Sequence, residues 1–241
     1  MTENQLVATE RLTAALIAKL AWDSIASNPP AVRENLLLSK NEQTLSGLLA
    51  HSLSSLNDLH IGRGSDPTSG TVLLELKGKD YQREVNGAVQ TTRNFHDLAV
   101  VNHVGRIEVI IENKYWYHFD GAKGVKSPGP EVGIREQLNG DIYKIRQSLA
   151  EGAVTGRGFV LINVVTPGEP EAIPKSYQGH HNRLWKRMNA DIEQYRSEGL
   201  SGVLSVVSEF QPQALHSYCL HSSPLQSGEG FIDIICAEVK L

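Results

Sequence analysis

The chain has 241 residues and a formal net charge of −4. That length suffices for one large domain with a sizeable core, and the charge excludes the global basic field of a purely electrostatic nucleic-acid binder. Cys219 and Cys236 are the only cysteines, which excludes a disulfide framework. The opening MTENQLVATERL sets Glu3 and Glu10 where a secretion signal needs a basic start and an apolar run, and no stretch reaches the roughly 20 apolar residues of a membrane span. The expectation is a soluble, cytoplasmic protein with no membrane partner.

Leu12, Ala15, Leu16, Leu20 and Ile25 predict a helix over residues 8–26, ended by Asn28-Pro29-Pro30. Leu45, Leu48, Leu49, Leu53 and Leu56 predict a second helix with its start at Ser39. The period then changes. TVLLEL (71–76) reads as a strand after the turn-rich GRGSDPTSG, and 95–102 and 106–114 read as two more, joined by a tight turn at His103-Val104-Gly105. Residues 120–132 form a Gly/Pro/Lys loop. The stripe Ile134, Leu138, Ile142, Ile145 and Leu149 predicts a helix, and GFVLINVV (158–165) a fully buried strand. A helix over 182–198, a strand over 202–207 (GVLSVV) and a last strand over 230–240 complete the pattern. This order predicts an α/β sandwich built on a mixed sheet flanked by helices.

The stretch IEVIIENKYW (107–116) carries the chemistry. Alternation puts Glu108, Ile110, Glu112 and Lys114 on one face of a strand and sets Asp97 on the face of Ala99 and Val101 in the strand before. Given a suitable register, a hairpin through residues 102–106 brings Asp97 within reach of Glu112, so two carboxylates and a lysine converge where the strands end. Paired carboxylates suit a hard divalent cation, and a lysine beside them can orient a water or stabilise developing charge at a phosphate.

These residues resemble the PD-(D/E)XK nuclease superfamily, through FHDLAVV followed by IEVIIENK and through the order of elements around them. The resemblance implies a restriction-endonuclease-like αβββαβ core: a helix over 41–57, a three-strand meander within 71–114, a helix over 133–150 and a strand over 158–165. It covers about residues 40–166 of a single domain, 1–241, leaving a helical elaboration at 1–39 and an α/β one at 167–241. It implies Asp97 and Glu112 as ligands of Mg²⁺ or Mn²⁺ and Lys114 as the water-orienting or charge-stabilising residue. Glu42 matches the glutamate that the family often adds on its first helix, although Ser39-Lys40-Asn41-Glu42 is equally a capping box. Gln137 matches the glutamine of the helix after the lysine. Tyr143 lies too far from it to match the usual tyrosine, and Asp141 takes the neighbouring turn. His96 stands where the family name has proline.

The implied function is a divalent-metal-dependent nuclease, acting on DNA in preference to RNA. The alternative is a catalytically inactive nuclease-fold module that binds nucleic acid or protein. Whether the working form is a homodimer is left open. Lys123 and Lys126 in the Gly/Pro loop, and Arg183 and Lys186 beside Trp185, are the candidates for phosphate contact, with a solvated helix face as the other reading of the second pair. Two further Glu-x-Lys runs exist. Glu75-Leu76-Lys77 follows an acid, Asp66, that lies in a turn, and Glu238-Val239-Lys240 follows Asp233 too closely for a separate strand. His180-His181-Asn182 lacks the strand pairing of a histidine–asparagine nuclease motif. His216, Cys219, His221 and Cys236 are too cramped for a zinc site, so buried free thiols are the expectation.

Overall fold

The structure is a computed structural model that describes residues 12–38, 42–57, 60–63, 70–77, 81–85, 88–92, 95–102, 104–122, 130–168, 175–188, 191–225 and 228–241. Helices α1 (Ala14–Ala26), α2 (Pro30–Leu38) and α3 (Glu42–Asn57) come first. Strands β1 (His60–Arg63), β2 (Thr71–Lys77), β3 (Tyr81–Val85), β4 (Ala88–Thr92), β5 (Phe95–Val101) and β6 (Ile107–Tyr117) follow. Then come the short α4 (His118–Gly121), the long α5 (Pro130–Ala150), β7 (Val154–Thr166), α6 (Lys175–Arg187), α7 (Ile192–Glu209), β8 (Ala214–Leu225) and β9 (Gly228–Glu238).

Seven strands form one mixed sheet in the order β1-β2-β5-β6-β7-β9-β8, while β3 and β4 pair apart as a hairpin inserted between β2 and β5. β2, β5 and β6 make the antiparallel meander, and α5 connects β6 to its parallel neighbour β7. At the β5–β6 turn, the Asn102 N–H donates to the Arg106 carbonyl and Gly105 supplies a φ of +79°, a left-handed conformation that glycine adopts without strain. β9 runs antiparallel to β7, so the last part of the chain extends the same sheet.

Helices cover both faces. On one, Val109, Ile111, Tyr115 and Tyr117 of β6 pack with Ile17 and Ile25 of α1 and Leu49 and Leu53 of α3. On the other, Ile110 and Trp116 pack with Ile134, Leu138 and Ile145 of α5 and with Val203 and Val206 of α7. Two-sided burial explains why β7 lacks alternation: every residue from Phe159 to Thr166 is buried. α5 lies so close to the sheet that a Cβ on Gly158 would stand 2.1 Å from Ile145 Cγ2. Among the described residues no helix is long and apolar enough to cross a membrane.

Several expectations are corrected. Residues 202–207 form the last turns of α7 and not a strand; a six-residue apolar run fits a buried helix as well as a buried strand, and here Val203, Val206 and Val207 share one buried face. The helix expected over 182–198 is two helices, because Asp191 caps a new one by accepting from the Glu193 and Gln194 N–H groups at 3.0 and 3.1 Å. Asn28-Pro29-Pro30 does end the first helix, but Pro30 also begins α2, which had no counterpart in the expectations; proline suits the first helical position. Part of the expected 120–132 loop is helical, in α4 and at the start of α5. The stripe expected on α1 is shifted: Ala14, Ile17, Ala18, Ala21 and Ile25 are buried, with Leu16 and Leu20 at its margin. β8, β3 and β4 had no counterpart in the expectations. Ser39, which begins the expected capping box, and Asp66 lie outside the described residues, as does His103 of the β5–β6 turn.

Candidate active site

β5 ends its pairing with β6 at Leu98 and Ile111, and the next residue on each strand is Asp97 and Glu112, near enough for Glu112 to act on the Asp97 carboxyl. Alternation fails locally here. Leu74 and Leu76 of β2 pack in opposite cores because Glu75 between them has a φ of +55°. Their partners on β5 follow: Leu98 packs with α1 and α3, but His96 turns to the α5 side and meets Ser148. Asp97, between them, lies close to Glu112, Lys114 and Lys144 on the α5 side. Its carboxylate reaches across to β6, where Oδ2 accepts from the Asn113 N–H at 2.7 Å. Glu42, on the first turn of α3, does the same two residues on, its Oε1 accepting from the Tyr115 N–H at 3.1 Å. Two carboxylates thus take the β6 donors that a continuing β5 would have satisfied.

On the α5 face, three consecutive outward residues of β6 meet three residues spaced along the helix. Glu112 Oε2 accepts from Lys144 Nζ at 2.8 Å, Lys114 Nζ lies 3.1 Å from Asp141 Oδ2, and the Trp116 indole donates to Gln137 Oε1 at 3.0 Å. The match is metric: two strand residues advance about 6.7 Å and one helical turn about 5.4 Å. Lys144 also pairs with Asp141 Oδ1 at 2.9 Å and donates to the Phe95 carbonyl at 3.3 Å. Glu112, wholly buried, has its other oxygen 2.7 Å from His96 Nδ1, while His96 Nε2 lies 3.0 Å from Ser148 Oγ. A carboxylate only accepts, so His96 donates from Nδ1 to Glu112.

On the opposite face Asn113 is also buried and fully engaged. Its Nδ2 donates to the Glu42 carbonyl and to Ser46 Oγ, tying α3 to the sheet, and its Oδ1 accepts from Asn163 of β7 at 2.8 Å.

The charges respond to this setting. Burial, reinforced by the facing Glu112, pushes the Asp97 carboxyl up to about 6, against the Asn113 N–H and the two lysines, which pull it down. Burial works to lower Lys114, but Asp141 first, then Asp97, Glu42 and Glu112, outweigh it and raise the ammonium's pKa. Lys144 is raised in the same way, by Glu112 and Asp141. Both lysines are therefore cations at neutral pH, set among carboxylates.

Asp97, Glu112, Lys114 and Glu42 are thus gathered at one place. Gln137 sits apart from the carboxylates, occupied by Trp116. Arg183 and Lys186 lie exposed on α6, where the Arg183 guanidinium donates to His180 and to the Gly179 carbonyl. Lys123 and Lys126 lie outside the described residues. Cys236 is a buried free thiol, while Cys219 is exposed on β8, contrary to expectation. His96, Asp141, Lys144 and Ser148 are site residues that sequence reasoning did not assign. The signal for two of them was present, since Asp141 and Lys144 border the stripe Leu138, Ile142 and Ile145 on the helix that must cover β6.

No protein-family model, curated protein or solved structure matches this chain.

Proposed function

We propose that the chain is a divalent-metal-dependent nuclease of the PD-(D/E)XK type, with DNA as its preferred substrate. The observation that carries this reading is the meeting of Asp97 with Glu112 across β5 and β6, with Lys114 two residues further along the same strand. The order α3, the meander β2-β5-β6, α5 and the parallel β7 supports it, as does the arrival of Glu42 beside them.

The donor set suits a hard cation. Asp97 and Glu112 are carboxylates whose mutual repulsion contributes to holding one of them at about 6, and Mg²⁺ takes one or two carboxylates and fills its shell with water and phosphate oxygens. Among the described residues no group of three or more His, Cys, Asp or Glu side chains gathers as a metal site, so the pair is the proposed protein contribution. A magnesium or manganese ion held there would neutralise charge on the phosphate and favour attack by water. The remaining work falls to the chain. The Asn113 N–H orients Asp97, His96 orients Glu112, and Lys114 holds a cationic ammonium next to both for the attacking water or the developing charge.

A second reading, a nuclease-fold binding module without catalysis, is favoured by one observation: both Glu112 oxygens and the Lys114 ammonium already have partners inside the protein. Cleavage decides between them. Supercoiled and linear duplex DNA, single-stranded DNA and RNA are incubated with Mg²⁺, Mn²⁺ or chelator, using wild type and Lys114→Ala. Metal-dependent cutting, lost in the variant while its circular dichroism is unchanged, is the expected result. Binding of the same substrates without any cutting would establish the second reading.

A further inference from the structure

Among the described residues, Lys144 is the lysine whose ammonium sits directly on the buried carboxylate that the proposed function needs for metal. Of the two groups on Glu112, His96 cannot leave: its ring is buried and both nitrogens are bonded, one to Glu112 and one to Ser148. Lys144 can. It carries the ammonium on a flexible stem, is 15% exposed, and keeps two other oxygens within reach, Asp141 Oδ1 at 2.9 Å and the Phe95 carbonyl at 3.3 Å. An ammonium and a divalent ion on the same carboxylate oxygen repel each other strongly in a partly desolvated site. Glu112 with Lys144 in place is satisfied without metal, which is how a fully buried carboxylate is kept from being an uncompensated charge.

From this geometry we propose that Lys144 is a built-in counter-cation that competes with the metal for Glu112. It occupies Oε2 in the metal-free protein, is displaced when Mg²⁺ or Mn²⁺ enters, and remains tethered beside the site by Asp141. The inference rests on the metallonuclease reading. Its function is to keep the carboxylate pair assembled before metal arrives, at the expense of metal affinity. After displacement the ammonium lies next to Lys114, so that two cations face the position of the substrate phosphate.

The test is Mn²⁺ binding, measured by calorimetry and by electron paramagnetic resonance, on wild type and Lys144→Met, with no substrate and no turnover. Competition predicts tighter binding in the variant, by about tenfold or more, since removing a competing ion pair releases at least about 1.4 kcal/mol for the metal. A merely structural role moves the constant the other way or leaves it alone. Binding of Mn²⁺ to both proteins with equal or weaker affinity in Lys144→Met overturns the role of Lys144 and leaves the metallonuclease reading standing. No Mn²⁺ binding by either protein overturns that reading and this inference with it.

Should Lys144→Met not fold, Lys144→Gln keeps an N–H donor for Glu112 and answers the same question. Wild type gives an independent readout. A slowly exchanging lysine ammonium signal, assigned by its absence in Lys144→Gln, should shift or broaden as Mg²⁺ is added. A signal unmoved at saturating Mg²⁺ contradicts displacement.

Discussion

β6 delivers buried polar side chains to two places, and they solve the problem of burial in opposite ways. Around Glu112 and Lys114 the charges are kept and paired: each ammonium has a carboxylate, and the carboxylates raise both lysines despite burial. Just past the end of the strand, His118 enters a cluster with His181, Tyr195, Trp185 and Phe119, in which no carboxylate among the described residues acts on either histidine. His118 donates from Nδ1 to the Val165 carbonyl, His181 bonds to the Tyr195 hydroxyl, and neither Nε2 has a hydrogen-bond partner among the described residues. Burial there lowers His118 and takes His181 down to about 4. Desolvation acts on both clusters. What separates them is whether a counter-ion is within reach, and only the first has the character of a site.

The contrast is broken most severely at Glu112. Glu112→Ala leaves the Lys144 ammonium and the buried His96 without their acceptor, and should lower stability to urea by about 3 kcal/mol. Asp97→Asn removes a carboxyl that burial already disfavours as an anion, and should cost far less. Equal losses in the two variants would mean that the charges are not organised around Glu112.

The pH dependence separates the clusters next. His181 has a folded value of about 4 against an ordinary 6.5, so its contribution to stability is present above 6.5 and is lost as pH falls toward 4. Asp97 runs the other way. Its folded value of about 6 lies above the ordinary 3.8, so its contribution is full below 3.8 and is lost as pH rises through 6. Thermal unfolding between pH 4 and 7 should therefore show a shallower acid slope in His181→Gln and a flatter approach to neutrality in Asp97→Asn. An unchanged acid slope in His181→Gln would remove that histidine from the contrast.

The smallest effect is expected at Gln137. Gln137→Ala frees the half of the Trp116 contact that lies beyond the charges, for about 1 kcal/mol, and should leave cleavage and Mn²⁺ binding intact. A loss of activity larger than the loss of stability would extend the site to Gln137.

Much of this was legible in the sequence because it follows from period. The branched apolar run before Glu112, the 3.6-residue stripe of α5 and the unbroken apolar run of β7 each identify an element and its buried face. Pairing β5 with β6 across a short turn brings Asp97 near Glu112, but the exact level is set by the irregularity between Val100 and Val101, which counting from the turn does not show. The illegible parts depend on choices that period does not express. Residues 202–207 are apolar enough for either buried state, and only the Asp191 cap and the packing of α7 decide for helix. The edge strand β8, exposed at Leu215, His216, Ser217 and Cys219 and with Pro224 in its sequence, has little hydrophobic signature to read. The bond from the Asn113 N–H to Asp97 and the positive φ of Glu75 on the neighbouring β2 leave no mark in the hydrophobic period. His96 is read as a departure from a motif until its ring is seen between Glu112 and Ser148.

The three contacts between β6 and α5 also act as a ruler. Glu112, Lys114 and Trp116 advance by two residues each, while Lys144, Asp141 and Gln137 step back along the helix by three and then four. Each residue of a helix turns the next by about 100°. One residue inserted between Gln137 and Lys144 would carry one end of the ladder round to solvent while the other stayed docked. A substitution on one rung acts at that rung, whereas a change in the number of residues between the rungs acts on all of them.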